Sequence, residues 1–65
     1  MTINQGDAVK ITAQGLTVTG EVLTANDYKE DGGWYIELLD AKGKYYYWKQ
    51  GIDGGTLLEV NGQKL

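Results

Sequence analysis

Apolar and polar residues alternate with a period of two along most of this 65-residue chain. In residues 8–12, Val9 and Ile11 fall on one side and Lys10 and Thr12 on the other, the period of a half-buried strand. Residues 16–24 repeat the pattern, with Leu16, Val18 and Val22 in an inner series and Thr17, Thr19 and Glu21 outside. Residues 34–39 set Trp34, Ile36 and Leu38 against Tyr35, Glu37 and Leu39. Residues 44–49, Lys-Tyr-Tyr-Tyr-Trp-Lys, form a near-continuous aromatic strand flanked by lysines. The series closes with residues 56–60, Leu58 and Val60 inside and Glu59 out. No segment has a helical period, so the pattern predicts five short strands and an all-β fold.

The connections carry as much information as the strands. Gly6-Asp7 marks a turn into the first strand, after a polar lead-in over residues 1–5 that has no strong preference. Gln14-Gly15 leaves room for nothing but a tight hairpin turn. Gly20 interrupts the inner series of its strand, where glycine serves a bulge or sharp bend, or the approach of a ligand to the backbone. Residues 26–33 form the longest irregular stretch, acidic in balance and ending in Gly-Gly, and read as a solvated loop with Tyr28 near its centre. Asp40-Ala41-Lys42-Gly43 reads as a type I turn with glycine at the left-handed position. That turn pairs Asp40 with Lys44, Leu38 with Tyr46 and Ile36 with Trp48. Tyr46 and Trp48 then point inward, and Tyr45 and Tyr47 outward; a slip of one residue would exchange the two sets. The glycine-dense residues 50–55 suit a short 3-10 turn before the last strand. Asn61-Gly62 is a strong turn signal, but only three residues come after it, and a frayed tail is expected.

Five strands in so short a chain cannot leave a long flat sheet exposed at both edges, and closure into a small barrel is the economical solution. The expectation is one domain over residues 1–65 with its core within residues 6–60. Val9, Ile11, Leu16, Val18, Val22, Trp34, Ile36, Leu38, Tyr46, Trp48, Leu58 and Val60 would fill it. A chain of this size buries only about 60% of the surface its unfolded form exposes, so stability should be modest. The chain has no cysteine and no histidine, hence no disulfide and no usual zinc site, and must rely on packing or self-association.

The order Gly6-Asp7-x-Val9-x-Ile11, Gly20-x-Val22, Gly33-Trp34-Tyr35-Ile36-Glu37, Asp40-x-x-Gly43 and Leu57-Leu58-Glu59-Val60 resembles the SH3-like small barrels. It looks most like their compact branch, which includes KOW and Tudor-type modules, a small accessory protein of photosystem I and the type II dihydrofolate reductases. The resemblance spans Gly6 to Val60 and implies a five-stranded SH3-like barrel. The Ala-Leu-Tyr-Asp-Tyr strand of signalling SH3 domains is missing. Where the type II reductases carry Val-Gln-Ile-Tyr, this chain has Tyr45-Tyr46-Tyr47-Trp48, so the residues for folate chemistry are not there.

Composition narrows the function classes. Without Cys, His, Ser or Arg, catalysis would fall to Asp, Glu, Lys, Thr or Tyr, and none sits in a paired spacing. Asp53 is the best isolated candidate, and a turn-forming role suits it better. Asp27, Glu30 and Asp31 do not have the spacing of a calcium loop. The expectation is a non-enzymatic chain without a cofactor. A net charge of −3 with no arginine argues against nucleic acid. No apolar run reaches the roughly 18 residues of a membrane span, and no leader opens the chain, so a cytoplasmic protein is expected.

The register leaves outside a patch of Tyr35, Leu39, Tyr45 and Tyr47, with Tyr28 able to lean over it. Tyrosine gives large contact area at low entropic cost and is enriched at interfaces. The reading is a small protein-interaction module whose partner is another protein or a second copy. The alternative is a nucleic-acid or small-ligand reader on the same rings, with Lys10, Lys44 and Lys49 gathered beside them.

Overall fold

A computed structural model describes residues 2–13, 15–29, 32–52 and 54–65. Gln14, Glu30, Asp31 and Asp53, and with them part of the calcium-loop reading and the isolated catalytic candidate, lie outside the described residues. Among the described residues six strands form: β1 (Ala8–Ala13), β2 (Leu16–Tyr28), β3 (Gly33–Asp40), β4 (Tyr45–Lys49), β5 (Thr56–Val60) and β6 (Gln63–Lys64). They make one antiparallel sheet in the order β4-β3-β2-β1-β5-β6. The all-β expectation holds, with six strands in place of five.

The predicted closure by strand pairing is not met, since β4 and β6 are sheet edges with no ladder between them. The gap is crossed by the segment from β4 to β5 instead. There the indole N–H of Trp48 donates to the carbonyl of Gly54 at 2.9 Å. Gly55 then lies so close to the Thr12 carbonyl that a β-carbon there would collide with it. The short 3-10 turn expected over 50–55 is also absent from its described residues. Ile52 N–H bonds the Lys49 carbonyl at 3.2 Å in a single turn. Gly51, Gly54 and Gly55 then take φ of 82°, 69° and 74°, a left-handed backbone that cannot continue a 3-10 helix.

The core is Ile3, Val9, Ile11, Val22, Ile36, Leu38, Trp48 and Leu57, with Val18, Trp34, Tyr46 and Val60 among the residues packed against it. Two expected members, Leu16 and Leu58, are elsewhere, and the sheet contains two bulges, of which the one in β5 accounts for Leu58. β2 follows its alternation to Val22, and the register against β3 then slips between Val22 and Thr24. Beyond this bulge the inward series changes parity, so Ala25 faces the core while Thr24, Asn26 and Tyr28 are exposed. Residues 26–28 and 33 of the stretch expected as a loop over 26–33 are therefore strand, their alternation hidden by the change of phase. Leu16 sits at the hairpin end of β2, paired with Ala13, and is exposed rather than buried. In β5 a second irregularity pairs Lys10 with Glu59 but Ile11 with Leu57. Leu58 is the extra residue, and Leu57 takes the buried place that alternation assigned to it.

Gly20 is not a bulge, because its pairing is regular with both β1 and β3. A β-carbon there would strike the Leu39 carbonyl oxygen and lie 2.9 Å from its carbon, so glycine lets β3 approach β2. The lead-in, expected to have no preference, buries Ile3. It is tied to β2 by Gly6 N–H to the Val22 carbonyl and by Val22 N–H to the Asp7 carbonyl, both 2.8 Å. The expected frayed tail is a hairpin: Asn61 and Gly62 take φ of 52° and 81°, and β6 returns along β5. Asn61 also locks this hairpin to β1, its Oδ1 accepting the Ala8 N–H at 2.9 Å and its own N–H donating to the Ala8 carbonyl at 2.7 Å.

The β5 bulge yields a stability prediction. Leu57→Ala should cost about 2–5 kcal/mol in urea unfolding, the range for emptying a buried leucine site, and Leu58→Ala less than about half as much. Equal losses would contradict the assigned register.

Candidate functional site

The outer face of β3 and β4 is set by the turn between them. The Asp40 carboxylate oxygen Oδ1 accepts the N–H groups of Lys42 and Lys44, both at 2.9 Å, while Gly43 donates to the Asp40 carbonyl at 3.0 Å. Gly43 has the left-handed φ of 80° expected of it. The resulting pairs are Leu38 with Tyr46 and Ile36 with Trp48, as the turn predicts. On the other side of the hairpin, Leu39 stands opposite Tyr45, Glu37 opposite Tyr47 and Tyr35 opposite Lys49.

Tyr45 and Tyr47 are 49% and 61% exposed, and Tyr35 and Leu39 are half-buried beside them. Tyr28, 51% exposed, ends β2 rather than leaning from a loop, and the β2 bulge puts it on this same side. The structure thus brings Tyr35, Leu39, Tyr45 and Tyr47 onto one face, with Tyr28 at its end.

Alternation singled out the rings but not the groups that organise them. The Tyr35 hydroxyl donates to Glu37 Oε1 at 2.8 Å. That bond, with partial desolvation and the charge of Glu37, raises the Tyr35 pKa well above the usual phenol value. The Tyr45 pKa is also raised, first by desolvation and then by the Glu37 charge. Glu37 was legible only as an outward polar residue. Once the hairpin register is set, its place two residues from Tyr35 and diagonal to Tyr45 is the signal.

At the Tyr28 end, the sheet opens into a cleft of about 400 Å³ lined by Tyr28, Trp34, Tyr35, Lys49, Gln50 and Ile52. Gln50 shapes it: its N–H donates to the Trp34 carbonyl at 2.8 Å and its Oε1 accepts the Trp34 N–H at 3.1 Å. Gly33 leaves room for the Gln50 side chain, which a β-carbon would strike. Lys49 Nζ is 5.9 Å from the Tyr35 ring centre, a cation–π distance. Ile52 is 67% exposed, and its sequence signal is a large apolar residue standing alone among glycines.

The three lysines a nucleic-acid reader would gather are spread out. Lys10 pairs with Glu59 at 3.4 Å, Lys44 lies over Tyr46 at 5.2 Å, and Lys49 is at the opposite end of β4. Among the described residues, no group of three His, Cys, Asp or Glu side chains gathers to hold a metal ion, and no helix is long and apolar enough to cross a membrane. Comparison with protein-family models, with curated proteins and with solved structures returned no match for this chain.

The Tyr35–Glu37 contact sets a pH dependence. A phenol whose pKa is raised on folding contributes stability that is complete below about pH 10 and is lost as pH rises above it. Glu37→Ala removes both acceptor and charge, so a spectroscopic titration of tyrosinate should show a tyrosine ionising at lower pH than in the parent chain. An unchanged titration curve would contradict the contact.

Proposed function

We propose that the chain is a small, non-enzymatic protein-interaction module whose contact surface is the face of Tyr28, Tyr35, Leu39, Tyr45 and Tyr47. The observation that carries this reading is the gathering of three tyrosine rings on one hairpin face, Tyr45 and Tyr47 exposed and Tyr35 half-buried beside them and held by Glu37. Rings held in place lose little freedom on binding, which suits them as anchors. The same reading takes the fold as an SH3-like small barrel. The last long strand, β5, returns beside β1, and the inner faces of β1 to β5 share one core, an arrangement that supports that assignment. The partner is a protein, with a second copy of the chain among the options, and no cofactor is invoked.

A small-ligand reading has one observation in its favour: the cleft volume falls within the range of about 300–1,000 Å³ typical of small-molecule sites. It draws on Tyr28, Trp34 and Tyr35 and leaves Tyr45 and Tyr47 unused. The nucleic-acid form of that reading lacks the lysine cluster beside the rings.

The test is affinity capture from the source cell with three immobilised baits: the parent chain, the Tyr45→Ala/Tyr47→Ala double variant and Lys10→Ala. The proposal expects a protein retained by the parent and by Lys10→Ala, and lost with the double variant. Truncation of such an anchor should cost about 2 kcal/mol or more of binding. Equal capture by all three baits, or capture abolished by nuclease, would overturn it.

A further inference from the structure

The β3–β4 ladder determines where the backbone groups of β4 point. In an antiparallel pair, residues that exchange hydrogen bonds alternate with residues whose N–H and C=O face away. At one end Asp40 N–H bonds the Lys44 carbonyl at 3.0 Å, and at the other Gln50 N–H bonds the Trp34 carbonyl at 2.8 Å. Both bonds belong to the even-numbered series of β4, which contains Tyr46 and Trp48. Tyr45, Tyr47 and Lys49 therefore direct their backbone groups away from β3, and the Lys49 carbonyl accepts the Ile52 N–H on that side. No strand pairs with β4 there among the described residues. Tyr45 and Tyr47 thus present two N–H and two C=O groups in a row, on the strand that also carries two of the exposed rings. A row of this kind is complementary to an extended backbone.

Charge identifies the occupant. Residues 40–49 hold three of the six lysines against one of the nine carboxylates, a local charge of +2 in a chain of net −3. The Asp40 carboxylate is engaged by the turn amides. Lys44 and Lys49 bracket the exposed row, one at each end. Two copies meeting edge to edge would bring both lysine sets together. An incoming strand with acidic ends meets opposite charge at both, and its middle residues extend the tyrosine face. Lysine on an edge excludes strands of like charge, which makes it a selector as well as a guard.

We propose that the free edge of β4 takes up an extended strand of a partner protein, apolar in its centre and acidic at its ends, bonded to the backbone of Tyr45 and Tyr47. The inference rests on the interaction-module reading above and names the partner's chemistry and mode of docking.

The probe is the capped peptide Glu-Glu-Val-Thr-Val-Glu-Glu, with Lys-Lys-Val-Thr-Val-Lys-Lys as its control, titrated by fluorescence anisotropy at low and high salt. Tyr47→Ala and Tyr47→Pro both remove the ring, but only proline removes the outward N–H, which no bond among the described residues uses. The acidic peptide should bind, weaken with salt, and lose about tenfold more affinity with Tyr47→Pro than with Tyr47→Ala. If proline unfolds the chain, an ester in place of the Tyr47 amide reads the same contact. Equal losses with the two variants would overturn edge docking while leaving the tyrosine-face reading intact. Binding of the basic peptide as tightly as the acidic one, or of neither, would overturn the acidic partner. So would a parent dimer in light scattering that Tyr47→Pro dissolves and Tyr47→Ala does not, since that assigns the edge to a second copy.

Discussion

The register of the β3–β4 hairpin is the constraint on which the rest of this structure depends. A carboxylate, Asp40, holds two amides of its own turn, and Gly43 supplies the left-handed residue that lets the strands meet in one alignment. Because side chains alternate, that alignment decides which aromatic residues enter the core and which stay outside. Trp48, placed inward, fills the core and donates its indole N–H to the Gly54 carbonyl. The crossing segment is thereby tied down where it delivers β5 to the far side of β1. The outward set forms the tyrosine face. A one-residue slip would expose Trp48, bury Tyr45 and Tyr47, and remove the anchor of the crossing.

Two bulges adjust what simple alternation would build. The one in β2 lets a 13-residue strand serve both neighbours, pairing with β1 through its first part and with β3 through its second. It also rotates the later part of β2 so that Tyr28 joins the outer side. The one in β5 lets Leu57 and Val60, three residues apart, both contribute to the core. Each adds one residue and reverses the parity of the strand beyond it.

Much of this fold was legible in the sequence wherever a local signal set the geometry. Val9 with Ile11, Ile36 with Leu38, and the pairs across the Asp40–Gly43 turn come from period two and turn chemistry alone. What escaped depends on tertiary geometry. Leu58 stood in for Leu57, and the last three residues of β2 read as loop, because a bulge leaves no mark in the hydrophobic pattern beyond a break in it. Ile3 was missed because two apolar residues, Met1 and Ile3, in so short a lead-in are too few to show a period. The tail was expected to fray for want of length, yet Asn61 holds it through two bonds to Ala8. The tyrosines of the candidate surface were legible as soon as the register was, whereas the cleft depends on Gln50 and Ile52, residues that sequence order separates from the strand face.

The hairpin register can be read directly by amide hydrogen exchange of the free protein, resolved residue by residue along β4. The assigned register predicts slow exchange at Tyr46 and Trp48, whose N–H groups face β3, and fast exchange at Tyr45 and Tyr47, whose N–H groups face the open edge. Slow exchange at Tyr45 and Tyr47 with fast exchange at Tyr46 and Trp48 would mean the opposite register, and the tyrosine face would then lie inside the molecule.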